Sequence, residues 1–279
     1  MTVERVLCAG TTQATPLLDR LAPARAAGFT AVTIFAADLE KARAEGLSLA
    51  EIRAAVADAG LRITEVETIC HWLPGQHPSA GGFPDWLMQA TPEAMCEAAV
   101  ALGARTVGVV EAFGMPFDGR AMAGHFGRVC DVAAAHGLTA GLEFLPTGGI
   151  PDLASAWEIV RRAERPNGGL IIDSWHMTRS NSPMAALAVI PGERIVSIQL
   201  NDGPAEPEAD LALAMMTARR LPGEGVFDLA GMMRALAASG TTAPVGIEVF
   251  STVLDALPID EVARRCAASL DYCLSGDLT

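Results

Sequence analysis

Short runs of β-branched and aliphatic residues alternate along the chain with longer runs rich in Ala, Leu and Arg. The short runs are Val3 to Ala9, Ala31 to Phe35, Arg62 to Ile69, Thr106 to Glu111, Thr139 to Leu145, Gly169 to Asp173, Ile195 to Leu200 and Val245 to Phe250. Their length and composition predict strands. Between them, stretches such as Ser48 to Ala59, Pro92 to Leu102 and Ile259 to Cys273 repeat apolar residues every three or four positions, which is the helical period. The punctuation agrees. Thr91-Pro92 offers an N-cap followed by proline at the first helical position. Gly28, Gly60, Gly103 and Gly137 each close an Ala-rich run just before a strand.

Eight β-then-α units in series imply parallel strands joined by right-handed crossovers. A closed barrel and an open doubly wound sheet both meet that requirement. The count of eight, with no dinucleotide fingerprint after the first strand, favours an α/β fold of the (β/α)8 TIM-barrel type. The length of 279 residues fits a single domain over 1–279, since such a barrel needs about 250 residues. Two connections are long, 71–90 after the third strand and 201–226 after the seventh. Loops that follow strands lie at the C-terminal face, where barrel active sites are built.

Composition narrows the chemistry. Of the 20 basic side chains only Lys41 is lysine, and it sits in a charged stretch that reads as surface, so Schiff-base catalysis lacks a candidate. The P-loop, G-x-G-x-x-G, H-E-x-x-H and G-x-S-x-G motifs are absent. The net charge of −13 repels phosphate backbones and anionic bilayers, so neither nucleic acid nor membrane is expected as a partner. No run reaches the roughly 18 apolar residues of a membrane span. Met1 to Gly10 lacks the pattern of a secretory signal. The six cysteines form no C-x-x-C pair and lie mostly in apolar runs, as reduced, buried thiols do. The expected location is therefore cytoplasmic.

The strand ends carry the strongest signal. Glu143, Asp173, Gln199 and Glu248 each stand within or at the end of an apolar run, near the ends of strands five to eight. One acidic residue in such a place is more often a capping or loop group. Four in series converge on a barrel mouth, where three carboxylates repel one another unless a cation offsets the charge. Carboxylates with an amide oxygen make a hard donor set suited to Mg²⁺ or Mn²⁺.

Gly-Leu-Glu-Phe at 141–144, Ile-Ile-Asp-Ser-Trp-His at 171–176, Ser-Ile-Gln-Leu-Asn-Asp at 197–202, Leu-Pro-Gly-Glu-Gly at 221–225 and Gly-Ile-Glu-Val-Phe at 246–250 resemble the sugar phosphate isomerase/epimerase family. This is the xylose-isomerase-like barrel superfamily, which includes ketose 3-epimerases, hydroxypyruvate isomerase, dehydratases of inosose and dehydroshikimate, and endonuclease IV. The resemblance implies Glu143, Asp173, Gln199 and Glu248 as metal ligands, with Glu143 and Glu248 also moving the proton. It places His176 beside the ion in contact with substrate, and makes Arg219, with Arg220 as the neighbouring alternative, the substrate-binding arginine. The ion expected is Mn²⁺ first, with Mg²⁺, Co²⁺ and Zn²⁺ as alternatives. Many epimerases of the family carry histidine where this chain has Gln199, which weakens a ketose 3-epimerase identity but not the metal.

Further candidates are weaker. His71, directly after the third strand, and Glu67 within it are candidates for substrate contact, as is Glu111 at the fourth. Trp72, Trp86 and Trp175 offer an apolar wall, although loop packing is the commoner role for such residues. Arg179 follows the sixth strand and suits either an anionic group or the surface.

The expected function is isomerisation or epimerisation of a sugar or keto-polyol, by proton transfer next to a carbonyl through a metal-stabilised enediolate. The alternative is a lyase, a dehydratase or keto-sugar eliminase, using the same site. An endonuclease IV-type nuclease needs metal histidines and a basic face; five histidines and the acidic balance oppose it. A barrel that only binds is opposed by the retained ligand set. The expected partner is a small polyhydroxylated substrate, and the resemblance is compatible with a homo-oligomer.

Overall fold

The strands run in chain order around a closed, all-parallel barrel. They are β1 (Arg5–Leu7), β2 (Ala31–Phe35), β3 (Arg62–Ile69), β4 (Thr106–Val110), β5 (Thr139–Glu143), β6 (Gly168–Asp173), β7 (Ile195–Leu200) and β8 (Val245–Ile247). The computed structural model describes residues 3–76 and 86–275, with Trp86 described by its backbone alone. β2, β3 and β7 match their predicted limits. β1 and β8 are shorter, and at the mouth the ladder gives way to isolated contacts: a 3₁₀ turn, Ala9–Thr11, follows β1, and past β8 the Glu248 N–H bonds Leu200 O while Phe250 O accepts the Arg219 N–H.

The helices follow their sequence signals. Ser48 caps Leu49–Asp58 in a reciprocal box with Glu51. The Thr91 hydroxyl accepts the Ala94 N–H at 3.3 Å at the head of Pro92–Leu102. Gly28, Gly60, Gly103 and Gly137 all adopt positive φ at the predicted helix exits.

Alternation along the strands separates two apolar layers. Leu7 of β1 belongs to the large cluster between barrel and helices, whereas Val6 and Cys8 join Ala31 in a small separate cluster inside the barrel. That interior is narrow. A Cβ on Gly246 would come within 2.5 Å of the Cys8 sulfur, and one on Gly108 within 2.9 Å of Glu65 Oε1. The large cluster is sealed by side chains such as Phe29, Phe126 and Trp175, all fully buried. All six cysteines are free and buried, as their apolar settings predicted. Among the described residues no helix is long and apolar enough to cross a membrane.

The connection over 201–226 is more ordered than the sequence suggested. It contains the helix Leu211–Thr217 and an antiparallel bridge between Asp202 and Arg220. Of the other long connection, 77–85 lie outside the described residues.

Candidate active site

Register brings the predicted ligands to one level. Asp173 pairs with Gln199 across β6 and β7, and Glu143 ends β5 opposite Val110. Glu248 follows β8 directly, its N–H bonded to Leu200 O at 3.1 Å. All four side chains are buried, with Asp173 and Gln199 at 0% exposure.

Asp173 is held from three sides. Its Oδ1 accepts the N–H groups of Trp175 (2.7 Å) and His176 (3.1 Å), capping the short helix Ser174–Arg179. Its Oδ2 accepts Asn201 Nδ2 at 2.9 Å and Arg219 Nη1 at 2.8 Å. Burial pushes this carboxyl upward. The Arg219 and His176 charges and the donated hydrogen bonds outweigh that push and hold it below the usual range. Glu248 behaves oppositely. Burial and the neighbouring Glu67 raise it well above the ordinary range, and Arg219, 3.5 Å away, offsets this only in part. Glu67 is raised likewise, by burial first and Glu65 next.

Glu143, Asp173 and His176 offer ligand atoms that all lie within 4.8 Å of one another, so these three could hold a metal ion. The set shares Glu143 and Asp173 with the sequence-based quartet and adds His176. Beside it, the Gln199 amide and Arg219 both lie against the Glu248 carboxylate, while His176 Nε2 lies 3.4 Å from Glu143 Oε1. Glu143 Oε1, Gln199 Oε1, Glu67 Oε1 and His176 Nδ1 are buried without a hydrogen-bond partner. Unpaired acceptors of this kind, packed with carboxylates, fit a divalent cation.

The candidates away from the ligand cluster resolve differently. Arg219 joins it, with Nε donating to Met215 O at 2.8 Å and the guanidinium between the Phe250 and Trp175 rings, 4.8 and 5.5 Å from their centroids. Arg220 is exposed and bonds Glu224 O. Trp175 is fully buried and braces His176 edge-on at 5.5 Å. His71 bonds Met88 O through Nδ1 and lines a lateral groove with His125 and Arg128, apart from the carboxylates. Trp72 donates Nε1 to Val110 O and packs against Phe126, so it belongs to the core. Trp86 lies outside the described side chains. Arg179 is paired with Glu208 at 3.1 Å and stacked on Phe227, which leaves it structural.

Glu111 does not face hydroxyl ligands. It accepts the N–H groups of Phe113 (2.8 Å), Gly114 (3.1 Å), Met115 (3.2 Å) and Gly149 (2.5 Å), tying the loops after β4 and β5 together.

Sequence reasoning overlooked two residues of the mouth. Asn201 donates to Asp173 Oδ2 and to Glu248 O at 3.1 Å, linking two proposed ligands. Asp202 accepts four N–H groups: Gly203 (2.8 Å) and Phe227 (2.9 Å) on Oδ1, and Gly223 and Gly225 (both 3.0 Å) on Oδ2. This explains the Leu-Pro-Gly-Glu-Gly motif. A Cβ at Gly225 would lie 2.3 Å from both Asp202 Oδ1 and Gly203 O, so only glycine admits the carboxylate. The available signal was the polar Asn-Asp pair directly after the apolar β7 run.

Comparison with known proteins places this geometry. Over 150 residues the chain is 35% identical to a 3-dehydroshikimate dehydratase of Pseudomonas aeruginosa, a match covering 52% of this chain and 23% of that protein. Over 127 residues it is 30% identical to an inosose isomerase of Bacillus subtilis, covering 44% of each. The chain thus spans less than half the length of these two relatives. A crystal structure of an IOLI protein with a bound zinc atom superposes with a TM-score of 0.84 at 19% identity, over 98% of both chains, which shows a shared fold. The family model for the xylose isomerase-like TIM barrel matches residues 21–272, and the chain belongs to that family.

Proposed function

We propose that this protein is a metal-dependent lyase that removes water from a small cyclic hydroxy-ketone of the dehydroshikimate type. The carrying observation is the asymmetry of the mouth. Glu143 has a buried, unpaired Oε1 with His176 Nε2 3.4 Å away, whereas Glu248 is engaged by Arg219 and Gln199. One side of the site thus holds a carboxylate in ion-pair reach of an imidazole, the base and acid that an elimination needs. The dehydratase relative supports the same reading.

The ion would be held by Glu143, Asp173, Gln199 and Glu248, with His176 beside it; Mn²⁺ fits this oxygen-rich set, and Zn²⁺ or Co²⁺ gains if His176 ligates. A divalent ion here supplies Lewis acidity that stabilises negative charge on the substrate's carbonyl oxygen. Glu143 takes the proton from the carbon next to the carbonyl. The electron pair of that C–H bond forms the new C=C bond, the β-carbon–oxygen bond breaks, and the departing hydroxide takes a proton from His176 to leave as water. Arg219, fixed between two rings, orients the substrate's oxygens. Trp175 and Phe144 flank His176 and exclude water from it.

Isomerisation is the second reading, supported by the inosose isomerase match, which covers a larger share of its relative than the dehydratase match does. In that case Glu248 returns the proton on the opposite face. The two separate in one assay. Protein loaded with Mn²⁺ is given 3-dehydroshikimate and inosose, and absorbance of a conjugated product is followed with product stereochemistry. A rise with the first substrate, reduced roughly 10²–10⁴-fold in Glu143→Gln with unchanged circular dichroism, is expected. Rearranged product without absorbance replaces elimination by isomerisation, and turnover of neither substrate refutes both.

A further inference from the structure

Gln199 presents two chemically opposite ends. Its Nε2 donates towards Glu67 Oε2 at 3.3 Å and Glu248 Oε1 at 3.4 Å. Its Oε1 is buried and has no hydrogen-bond partner. Only the amide oxygen can serve as a metal ligand, because the NH₂ group is a donor with no lone pair to offer. Rotating the amide by half a turn would set its oxygen against two carboxylates and its NH₂ towards the cation. The choice between the two rotamers is therefore made by whatever accepts from Nε2.

Of the two acceptors, Glu248 is itself a proposed ligand, and its oxygens are shared with Arg219. Glu67 is the acceptor that is not itself a proposed ligand. It lies on β3, across the barrel from β7, with 2% exposure. We propose that Glu67 is a positioning residue for the metal site: it holds the Nε2 end of Gln199 so that Oε1 faces the ion. This rests on the reading of Gln199 as a ligand. It also gives Glu67 a different role from the substrate contact its sequence position suggested. Outer partners that orient a metal ligand are commonly worth roughly 10–100-fold in metal affinity.

A double-mutant cycle on the full chain tests this, with Mn²⁺ affinity read by calorimetry after stripping and reloading. Wild type is expected to bind one ion. Glu67→Leu and Gln199→Leu are each expected to weaken binding by roughly 10–100-fold. The double variant is expected to bind no more weakly than the poorer single one, since without the amide Glu67 has nothing left to orient. Glu67→Gln keeps an accepting oxygen and is expected to stay within about threefold of wild type, a split that loss of charge would not produce. Should Glu67→Leu fail to fold, Glu67→Ala takes its place with the same expected loss. An equal loss from Glu67→Leu in both backgrounds overturns the proposal, because Glu67 then acts only through its charge. So does unchanged affinity in Glu67→Leu. If Gln199→Leu alone binds as wild type does, the ligand reading of Gln199 fails instead, and the absence of any Mn²⁺ binding by wild type removes the metal site itself.

Discussion

Arg219 Nη1 lies 2.8 Å from Asp173 Oδ2, and both side chains are withdrawn from solvent, at 2% and 0% exposure. The same guanidinium approaches Glu248 at 3.5 Å, so a single cation tempers two of the carboxylates proposed to hold the ion. Removing one partner of a buried pair strands the other's charge. Arg219→Met is expected to destabilise metal-free protein by about 3–5 kcal/mol. Added Mn²⁺ is expected to narrow that gap, because the ion replaces the missing positive charge. Thermal unfolding with chelator and with Mn²⁺ checks both; an equal deficit in the two conditions would show that Arg219 and the ion do not share these carboxylates.

Asp202 offers a graded test of loop anchoring. Asp202→Ala leaves four N–H groups without their acceptor and is expected to cost about 3 kcal/mol in urea unfolding. Asp202→Asn keeps one oxygen and so half of the contacts, and is expected to lose about half as much. Because Arg220 bridges to Asp202, the alanine variant is also expected to raise KM through the neighbouring Arg219 more than it lowers kcat.

Glu65 predicts a pH dependence. It stands inside the barrel at 1% exposure, at the floor of a cavity of about 360 Å³ at the N-terminal end, and burial raises its pKa to about 8. The folded state prefers the protonated form. The associated stability is therefore complete below the unfolded-state value near 4.5 and is lost as pH rises through about 8. Metal-free protein is expected to lose melting temperature over that window, and Glu65→Gln to flatten the fall. Parallel curves for the two proteins would assign the dependence to other groups.

Strand identity was legible because a parallel barrel strand is buried on both faces and reads as an unbroken apolar run, so a charged residue within it stands out. That contrast exposed Glu143, Asp173, Gln199 and Glu248. It exposed Glu67 too, but not its partner, since the approach of β3 to β7 across the barrel has no counterpart in sequence distance. Glu65 and Glu67 stand two apart on one strand, the spacing of one face, and that hint of two inward carboxylates was available but unused. Asp202 and Glu111 were missed or misread for a different reason. Their partners are backbone N–H groups, which every residue has, so composition carries no trace of them. His71 looked like a mouth residue by position after β3, yet its ring turns to Met88 and the outer groove, a choice made by tertiary packing.

The four proposed ligands come from β5 to β8 alone, while the rim above β1 and β2 is built from other material: the stacked Phe35 and Phe250 rings, Gly10 beneath Phe250, and the enclosed Arg20–Asp38 pair. The proposed donors are thus grouped on one arc of the ring, and β1, paired to β8, closes it with packing rather than with ligands. A substitution at Phe35 is therefore expected to reach the proposed ligands through Phe250, whose ring stacks on it and lies against Arg219.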